Sequence, residues 1–215
     1  ARSMKYYLFV AIVAIIGYLL GSINSAVILS KVIYKQDIRT QGSGNAGMTN
    51  MNRVYGKKAA LFTFLGDFCK GIAAVLIGRL VFDLAGFDES QGACIAGALS
   101  VIGHNWPVYF GFKGGKGVLT SFSVLLVITP IPALIVFAFF VILVAITKYV
   151  SLGSITSSFA LPVMVFFAGD YLLTKSGFTE VFCLCAFVAI LIIARHHGNI
   201  KRLIKGQESK LSLKK

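Results

Sequence analysis

Charge is scarce in this chain. Asp, Glu, Lys and Arg supply 13% of its 215 residues, where a soluble domain carries about 25%. A chain so poor in charge cannot clothe a water-exposed globular surface. Acid is scarcer still: eight Asp and Glu stand against 21 Lys and Arg, for a net charge of +13. The aspartates are not clustered, so a carboxylate-held metal pair has no ligands. The four cysteines, Cys69, Cys94, Cys183 and Cys185, form no Cys-x-x-Cys or other zinc spacing and sit in apolar stretches. They read as buried free thiols, and no metal is expected. A soluble domain, a low-complexity linker and a clear internal repeat are also missing. So is the inverted-repeat pattern of many secondary transporters.

What the chain has instead is apolar sequence: 57% hydrophobic residues and a mean hydropathy of +0.82. These residues come in long blocks rather than amphipathic stripes, which predicts an all-α, polytopic integral membrane protein. Seven apolar segments are expected to be transmembrane helices, at about 6–30, 59–84, 91–104, 117–129, 131–148, 152–169 and 178–194. A span takes about 20 residues at 1.5 Å rise. The third and fourth segments are therefore short, and are read as extended by neighbouring motif residues or as broken or re-entrant helices. The first run, from Tyr6 to Leu29, exceeds a signal-peptide core and is read as a helix that stays. Ala1-Arg2-Ser3 ahead of Met4 reads as an added remnant. The rest forms one membrane domain with a basic tail over 204–215.

Basic residues set the expected orientation. One set of alternate loops holds Lys31, Lys35, Arg39, Arg53, Lys57, Lys58, Lys113, Lys116 and Lys148. The tail adds Arg195, Lys201, Arg202, Lys205, Lys210, Lys214 and Lys215. The opposite side has only Arg2, Lys5, Arg79 and Lys175, together with Asp83, Asp88, Glu89, Asp170 and Glu180. The bias predicts an external N-terminus and a cytoplasmic C-terminus. It also accounts for the charge through anionic lipid rather than nucleic acid; the aromatics lie in apolar segments and offer no basic stacking surface.

Two glycine-rich basic loops fall on the same expected side. The first runs Arg39-Thr40-Gln41-Gly42-Ser43-Gly44-Asn45-Ala46-Gly47-Met48-Thr49-Asn50, with Arg53 beyond it. Its small residues, hydroxyls and amides suit phosphate oxygens, although ordinary turn glycines would look the same. The second, Gly111-Phe112-Lys113-Gly114-Gly115-Lys116-Gly117, is not a nucleotide P-loop: Phe110 and Gly117 occupy positions that need Gly and Ser or Thr. It reads as a phosphate-binding turn entering a helix at Val118. His104 lacks the His-x4-Asp pattern of soluble acyltransferases, because Tyr109 stands in the Asp position, and it is not assigned as a base. Asp67 and Lys70 share a helix face within a span. They read equally as a structural ion pair or as functional groups. Ser151 and Ser154 are weaker candidates that read as helix caps. Arg195-His196-His197-Gly198-Asn199 reads equally as a lipid anchor or as a polar wall of a site.

Three ordered blocks make a resemblance specific. They are Arg39 with Gly42-Ser43-Gly44-Asn45-Ala46-Gly47-Met48-Thr49-Asn50; Gly103-His104 through Pro107-Val108 to Gly114-Gly115-Lys116-Gly117-Val118-Leu119-Thr120; and Arg195-His196, Asn199-Ile200, Arg202-Leu203, Gly206 and Glu208. The Gly21-Ser22-Ile23 turn and the Asp67/Lys70-Gly71 region fit as well. Over nearly its whole length the chain resembles the bacterial acyl-phosphate:glycerol-3-phosphate acyltransferases, integral membrane enzymes. It departs from their pattern at Asn24, where proline is frequent, at Met48, where alanine is usual, and at His197-Gly198.

The resemblance implies seven helices in the bacterial inner membrane and a cytoplasmic site. It implies transfer of a fatty acyl group from acyl phosphate to the 1-hydroxyl of glycerol 3-phosphate, giving lysophosphatidic acid and phosphate for phospholipid synthesis. It implies no cofactor and no metal, and neither acyl-CoA nor acyl carrier protein as direct donor. Partners are the two substrates and membrane lipids; nothing demands an oligomer. By the same carry-over, Arg39, Ser43, Asn45 and Lys116 hold the acyl phosphate. Arg53, His196 and Asn199 hold glycerol 3-phosphate, aided by Gly114, Gly115 and Gly117. Gly42, Gly44, Thr49, Asn50 and Arg195 line the phosphates, while Asp67, Lys70, His104, Ser154 and Glu208 support the site. Direct transfer, with a substrate phosphate as base, is preferred over an acyl-Ser43 intermediate because no activating base accompanies Ser43. The rival readings are a transporter for phosphate or a phosphorylated solute, and a lipid-binding scaffold; the first predicts polar residues through both leaflets, and the second leaves the glycines unexplained.

Overall fold

In the computed structural model, residues 2–172 and 177–211 are described, and every regular element among them is helical. Ala1, Lys175, Lys214 and Lys215 lie outside the described residues, as do the side chains of Arg2 and Asp170. Five stretches are long and apolar enough to cross a membrane: Ser3–Val32, Lys57–Leu84, Pro130–Thr147, Val150–Gly169 and Phe178–Arg195. Leu8, Ile15, Leu65, Leu80, Ile142 and Ile190 are exposed on them, as lipid-facing side chains would be. The chain divides into two compact units, with the boundary between Val124 and Leu125.

The first unit opens with α1 (Arg2–Gly21) and α2 (Ser25–Val32). The sequence suggests one helix over 6–30, and the structure breaks it. Asn24 has extended backbone, and its side chain accepts from the Val27 N–H at 3.0 Å. The backbone carbonyl of Ile23, which would receive that N–H in an unbroken helix, is released. A 3₁₀ turn at Ile38–Thr40 and a short helix α3 (Met48–Tyr55) follow. Then come the long α4 (Lys57–Leu84) and α5 (Glu89–Asn105). α5 packs against both α1 and α4. The approach to α1 is close enough to require glycine: a Cβ on Gly21 would meet the Ser100 backbone, and one on Gly103 would meet the Tyr18 carbonyl and, at 2.8 Å, the Ser22 nitrogen.

The third and fourth apolar segments are the short ones. α5 has 17 residues, while α6 (Val118–Ile128) has 11 and rises only about 16 Å. Neither qualifies as a span by itself.

The second unit holds α7 (Pro130–Thr147), α8 (Val150–Leu172) and α9 (Phe178–Arg195), with α8 packed against both others. Pro130 begins α7, where a missing N–H costs nothing. A short helix α10 (His197–Ile204) follows α9 after His196 alone. The tail returns to the α7–α8 turn, where the Leu211 N–H donates to the Lys148 carbonyl at 2.7 Å.

Candidate active site

In the first unit one buried amide organises the first glycine-rich loop. Asn50 lies in the first turn of α3 with almost no exposure. Its Oδ1 accepts from the Ser43 N–H at 3.0 Å, and its Nδ2 donates to the carbonyls of Gln41, Asn45 and Ile38 at 3.0, 3.1 and 3.3 Å. The loop wraps around this side chain. Gly42 and Gly44 have φ of +56° and +72°, values an L side chain rarely adopts, so glycine is needed for the wrap. Gly42, Ser43 and Gly44 are exposed; Asn45 and Thr49 are half-buried. Thr49, Asn50 and Arg53, read from the sequence as part of the loop, stand on α3, with Arg53 exposed in its last turn.

Arg39 connects this loop to the second. Its Nε and Nη2 donate to the two carboxylate oxygens of Asp37, at 2.9 and 2.7 Å. Nη1 donates to the carbonyls of Phe110 and Lys113 at 2.6 and 3.1 Å. Each nitrogen of the fork thus has a protein partner. The Arg39 hydrogen bonds hold the Asp37 carboxyl well below the usual carboxylate range, outweighing the opposing effect of burial. Lys31 Nζ adds a looser contact at 3.4 Å.

The second loop is pinned from below by the end of α5. The Gly114 and Gly115 N–H groups donate to the carbonyls of Asn105 and His104, both at 3.1 Å. Gly115 is buried between the loops: a Cβ there would collide with His104 Nε2 and stand 2.7 Å from the Ala46 carbonyl. Lys116 is half-buried at the apex, and Gly117 follows with φ of +79°. Beneath the turn lies a buried polar group. Lys70 Nζ reaches Asp67 Oδ1 at 2.9 Å, the Ile23 carbonyl at 2.7 Å and His104 Nδ1 at 2.9 Å. Thus the ion pair on α4, read as either structural or functional, leads to the second loop through His104.

The second unit holds His196 and joins Asn199 to Glu208. His196 is buried between α9 and α10, and its Nδ1 lies 2.7 Å from the Ile192 carbonyl. A carbonyl only accepts, so Nδ1 carries the proton and Nε2 is the acceptor of the neutral ring. Glu208 Oε1 accepts from Asn199 Nδ2 at 2.7 Å and from the Ser151 hydroxyl at 2.8 Å; Oε2 pairs with Arg202 Nε at 2.7 Å. Burial raises the Glu208 carboxyl, but these three donors prevail and hold it below its ordinary value. Ser151 and Ser154 lie inside α8 and do not cap it: Ser154 donates back to the Val150 carbonyl at 2.9 Å. Arg195, the last residue of α9, is half-buried.

The candidate residues therefore form two groups, one per unit. Arg39, Gly42–Asn45, Asn50, Gly114–Gly117, Asp67, Lys70 and His104 are knitted together in the first; in the second, Asn199 and Glu208 are bonded to each other, and His196 lies at the junction of α9 and α10. Sequence reasoning missed Asp37, although an Asp two residues before an Arg is a local turn signal. It also missed Asn24, whose signal as a helix cap is hidden inside an apolar run.

Residues 11–206 match the family model described as glycerol-3-phosphate acyltransferase. The chain is 46% identical over 207 residues to a glycerol-3-phosphate acyltransferase of Thermoanaerobacter pseudethanolicus, covering 96% of this chain and 98% of that one. It is 44% identical over 204 residues to one from Clostridioides difficile, covering 95% and 96%. Among solved structures it resembles two crystal structures of PlsY (YgiH), an integral membrane glycerol 3-phosphate acyltransferase, at 36% identity. The glycerol 3-phosphate form gives a TM-score of 0.82 over 94% of this chain and 96% of that one; the lysophosphatidic acid form gives 0.80 over 95% and 96%. With the family model and both relatives spanning nearly all of it, the chain belongs to the glycerol-3-phosphate acyltransferase family.

Proposed function

We propose that this membrane protein transfers a fatty acyl group from acyl phosphate to the 1-hydroxyl of glycerol 3-phosphate, releasing phosphate and lysophosphatidic acid. The observation that carries the reading is the pair of glycine-rich loops joined by Arg39 and packed together at Gly115, next to Lys116, in a chain of this family. Family relatives named for the same acceptor, and a neighbour crystallised with forms named for acceptor and product, support that half of the reaction.

Two phosphorylated substrates must share the site, and Arg53, Lys116 and Arg195 offset their repulsion. Lys116 and the exposed turn of Gly42, Ser43, Gly44 and Asn45, with Thr49, hold the acyl phosphate. Gly114, Gly115 and Gly117 let backbone approach its phosphoryl group. Arg53, His196 and Asn199 hold glycerol 3-phosphate. His196 Nε2 accepts from the neighbouring 2-hydroxyl and so orients the acceptor, while a substrate phosphate, titrating near pH 6, takes the proton of the attacking 1-hydroxyl. The oxygen attacks the acyl carbon, the tetrahedral oxyanion is stabilised by Lys116 and backbone N–H groups, and phosphate departs with the electrons of the broken C–O bond. Acyl phosphate is already activated, so neither cofactor nor metal is needed, and neither acyl-CoA nor acyl carrier protein serves as direct donor. Arg39 and Asn50 serve the site chiefly by shaping it. Asp67, Lys70 and His104 brace the second loop, and Ser154 and Glu208 brace the tail.

The same reading treats the two units as one functional domain, as a family match running across both supports. It places seven helices in the bacterial inner membrane, with the N-terminus outside and the site and basic tail in the cytoplasm. It needs no oligomer.

Purified protein given acyl phosphate and labelled glycerol 3-phosphate should yield labelled lysophosphatidate without CoA, carrier protein or metal. Lys116→Ala should abolish turnover in protein that remains folded in detergent. No product in any lipid or detergent would sink the assignment, and product only with acyl-CoA would replace the donor. Uptake of glycerol 3-phosphate into proteoliposomes without acylation would favour a transporter.

A further inference from the structure

The buried group under the second loop fixes a proton position. An ammonium has three donors and no acceptor, and Lys70 Nζ has three partners within 2.9 Å: Asp67 Oδ1, the Ile23 carbonyl and His104 Nδ1. The first two can only accept. The third hydrogen therefore goes to His104 Nδ1, which must present its lone pair. Asp67, Lys70 and His104 are each at most 6% exposed, so water does not scramble the arrangement. The Ile23 carbonyl is available only because Asn24 has taken over the Val27 N–H.

We infer that Lys70 locks His104 as the Nε2–H tautomer and makes His104 the positioning residue for the turn that carries Lys116. The Nε2 edge faces the seam of the two glycine-rich loops, against Gly115 and close to the Ala46 carbonyl. The ring is anchored at its other edge by an ammonium that is itself held by a carboxylate. The His104 backbone carbonyl also receives the Gly115 N–H, so one residue grips the turn at two points. An N–H at Nε2 can donate to a carbonyl or phosphate oxygen at the seam; a bare lone pair there would repel both. The Nδ1–H tautomer would place two donors face to face at Lys70 and a lone pair at the seam. This role rests on the proposed reaction only for its effect on turnover, since the tautomer is a property of the protein alone.

The chain has three histidines, so ¹⁵N-histidine labelling in lipid nanodiscs gives a readable spectrum, with the His104 signals assigned by their loss in His104→Gln. His104 should show a bare Nδ1 and a protonated Nε2. A protonated Nδ1, alone or with Nε2, overturns the inference whether or not the protein is active. Lys70→Met should give mixed His104 tautomers and lower kcat about a hundredfold, the scale of a misplaced catalytic group, with little change in KM for glycerol 3-phosphate. An unaltered tautomer or unaltered kcat in that variant also overturns it. Should Lys70→Met fail to fold, His104→Gln against His104→Ala decides. Glutamine can supply a donor near the Nε2 position and should retain far more kcat than alanine; equal losses count against the role. Wild-type protein that shows the tautomer yet forms no lysophosphatidate would instead refute the proposed function.

Discussion

At the residue scale, the polar side chains of the first loop divide into those that build it and those that it presents. Arg39 and Asn50 spend their hydrogen bonds on backbone and on Asp37, and so hold the loops in shape. Sequence made Arg39 and Asn50 candidates, because it reports that a guanidinium or an amide is nearby but not where its donors point. Arg39→Lys separates the two roles. Lysine keeps the charge but cannot span Asp37 and two carbonyls of the other loop. Charge-assisted hydrogen bonds are worth about 1.5–3 kcal/mol each, so kcat/KM should fall at least about tenfold in steady-state assays. A variant with near wild-type kcat/KM would show that positive charge, not the fork, is what the site needs. Glu208 is the tail's counterpart, a carboxylate beyond α10 that ties the tail to α8 through Ser151 and to α10 through Asn199 and Arg202.

At the element scale, the sequence reveals long apolar helices and conceals short ones. α3 and α10 have eight residues each, too few for an apolar pattern to declare itself, and both carry candidate site residues. The break between α1 and α2 is marked by the Gly21-Ser22-Ile23 turn but hidden from hydropathy: Ser22, Ile23 and Asn24 interrupt it very little, while a single side-chain cap suffices to end a helix. The α1–α5 contact depends on glycine at the crossing. Gly21→Val drives a side chain into the Ser100 backbone and should destabilise the protein by about 1–3 kcal/mol or more, the usual cost of overpacking. Gly198→Ala in α10, whose nearest neighbour would be 3.6 Å away, should be tolerated. Thermal unfolding of the two variants in one detergent compares them directly. Equal midpoints would mean that α1 and α5 can separate without cost.

At the scale of the whole molecule, composition announced a membrane protein, and the asymmetry of Lys and Arg gave the proposed orientation. That orientation is testable with cysteines introduced at exposed positions, after the four native cysteines are replaced. Lys201→Cys should react with a membrane-impermeant thiol reagent only in inverted vesicles, and Asp83→Cys only in intact cells. The reverse pattern would invert the protein and move the loops to the outer face. Hydropathy, basic-residue bias and the three ordered motifs were sufficient for membrane class and family, because each is a property of residue type and order. The roles within the first loop, the helix break at Asn24 and the link from Lys70 through His104 to Gly115 were decided only by tertiary structure. Arg39 reaches the Phe110 and Lys113 carbonyls across 71 and 74 residues of chain, and Lys70 reaches the Ile23 carbonyl across 47 and His104 across 34, and no local pattern encodes that.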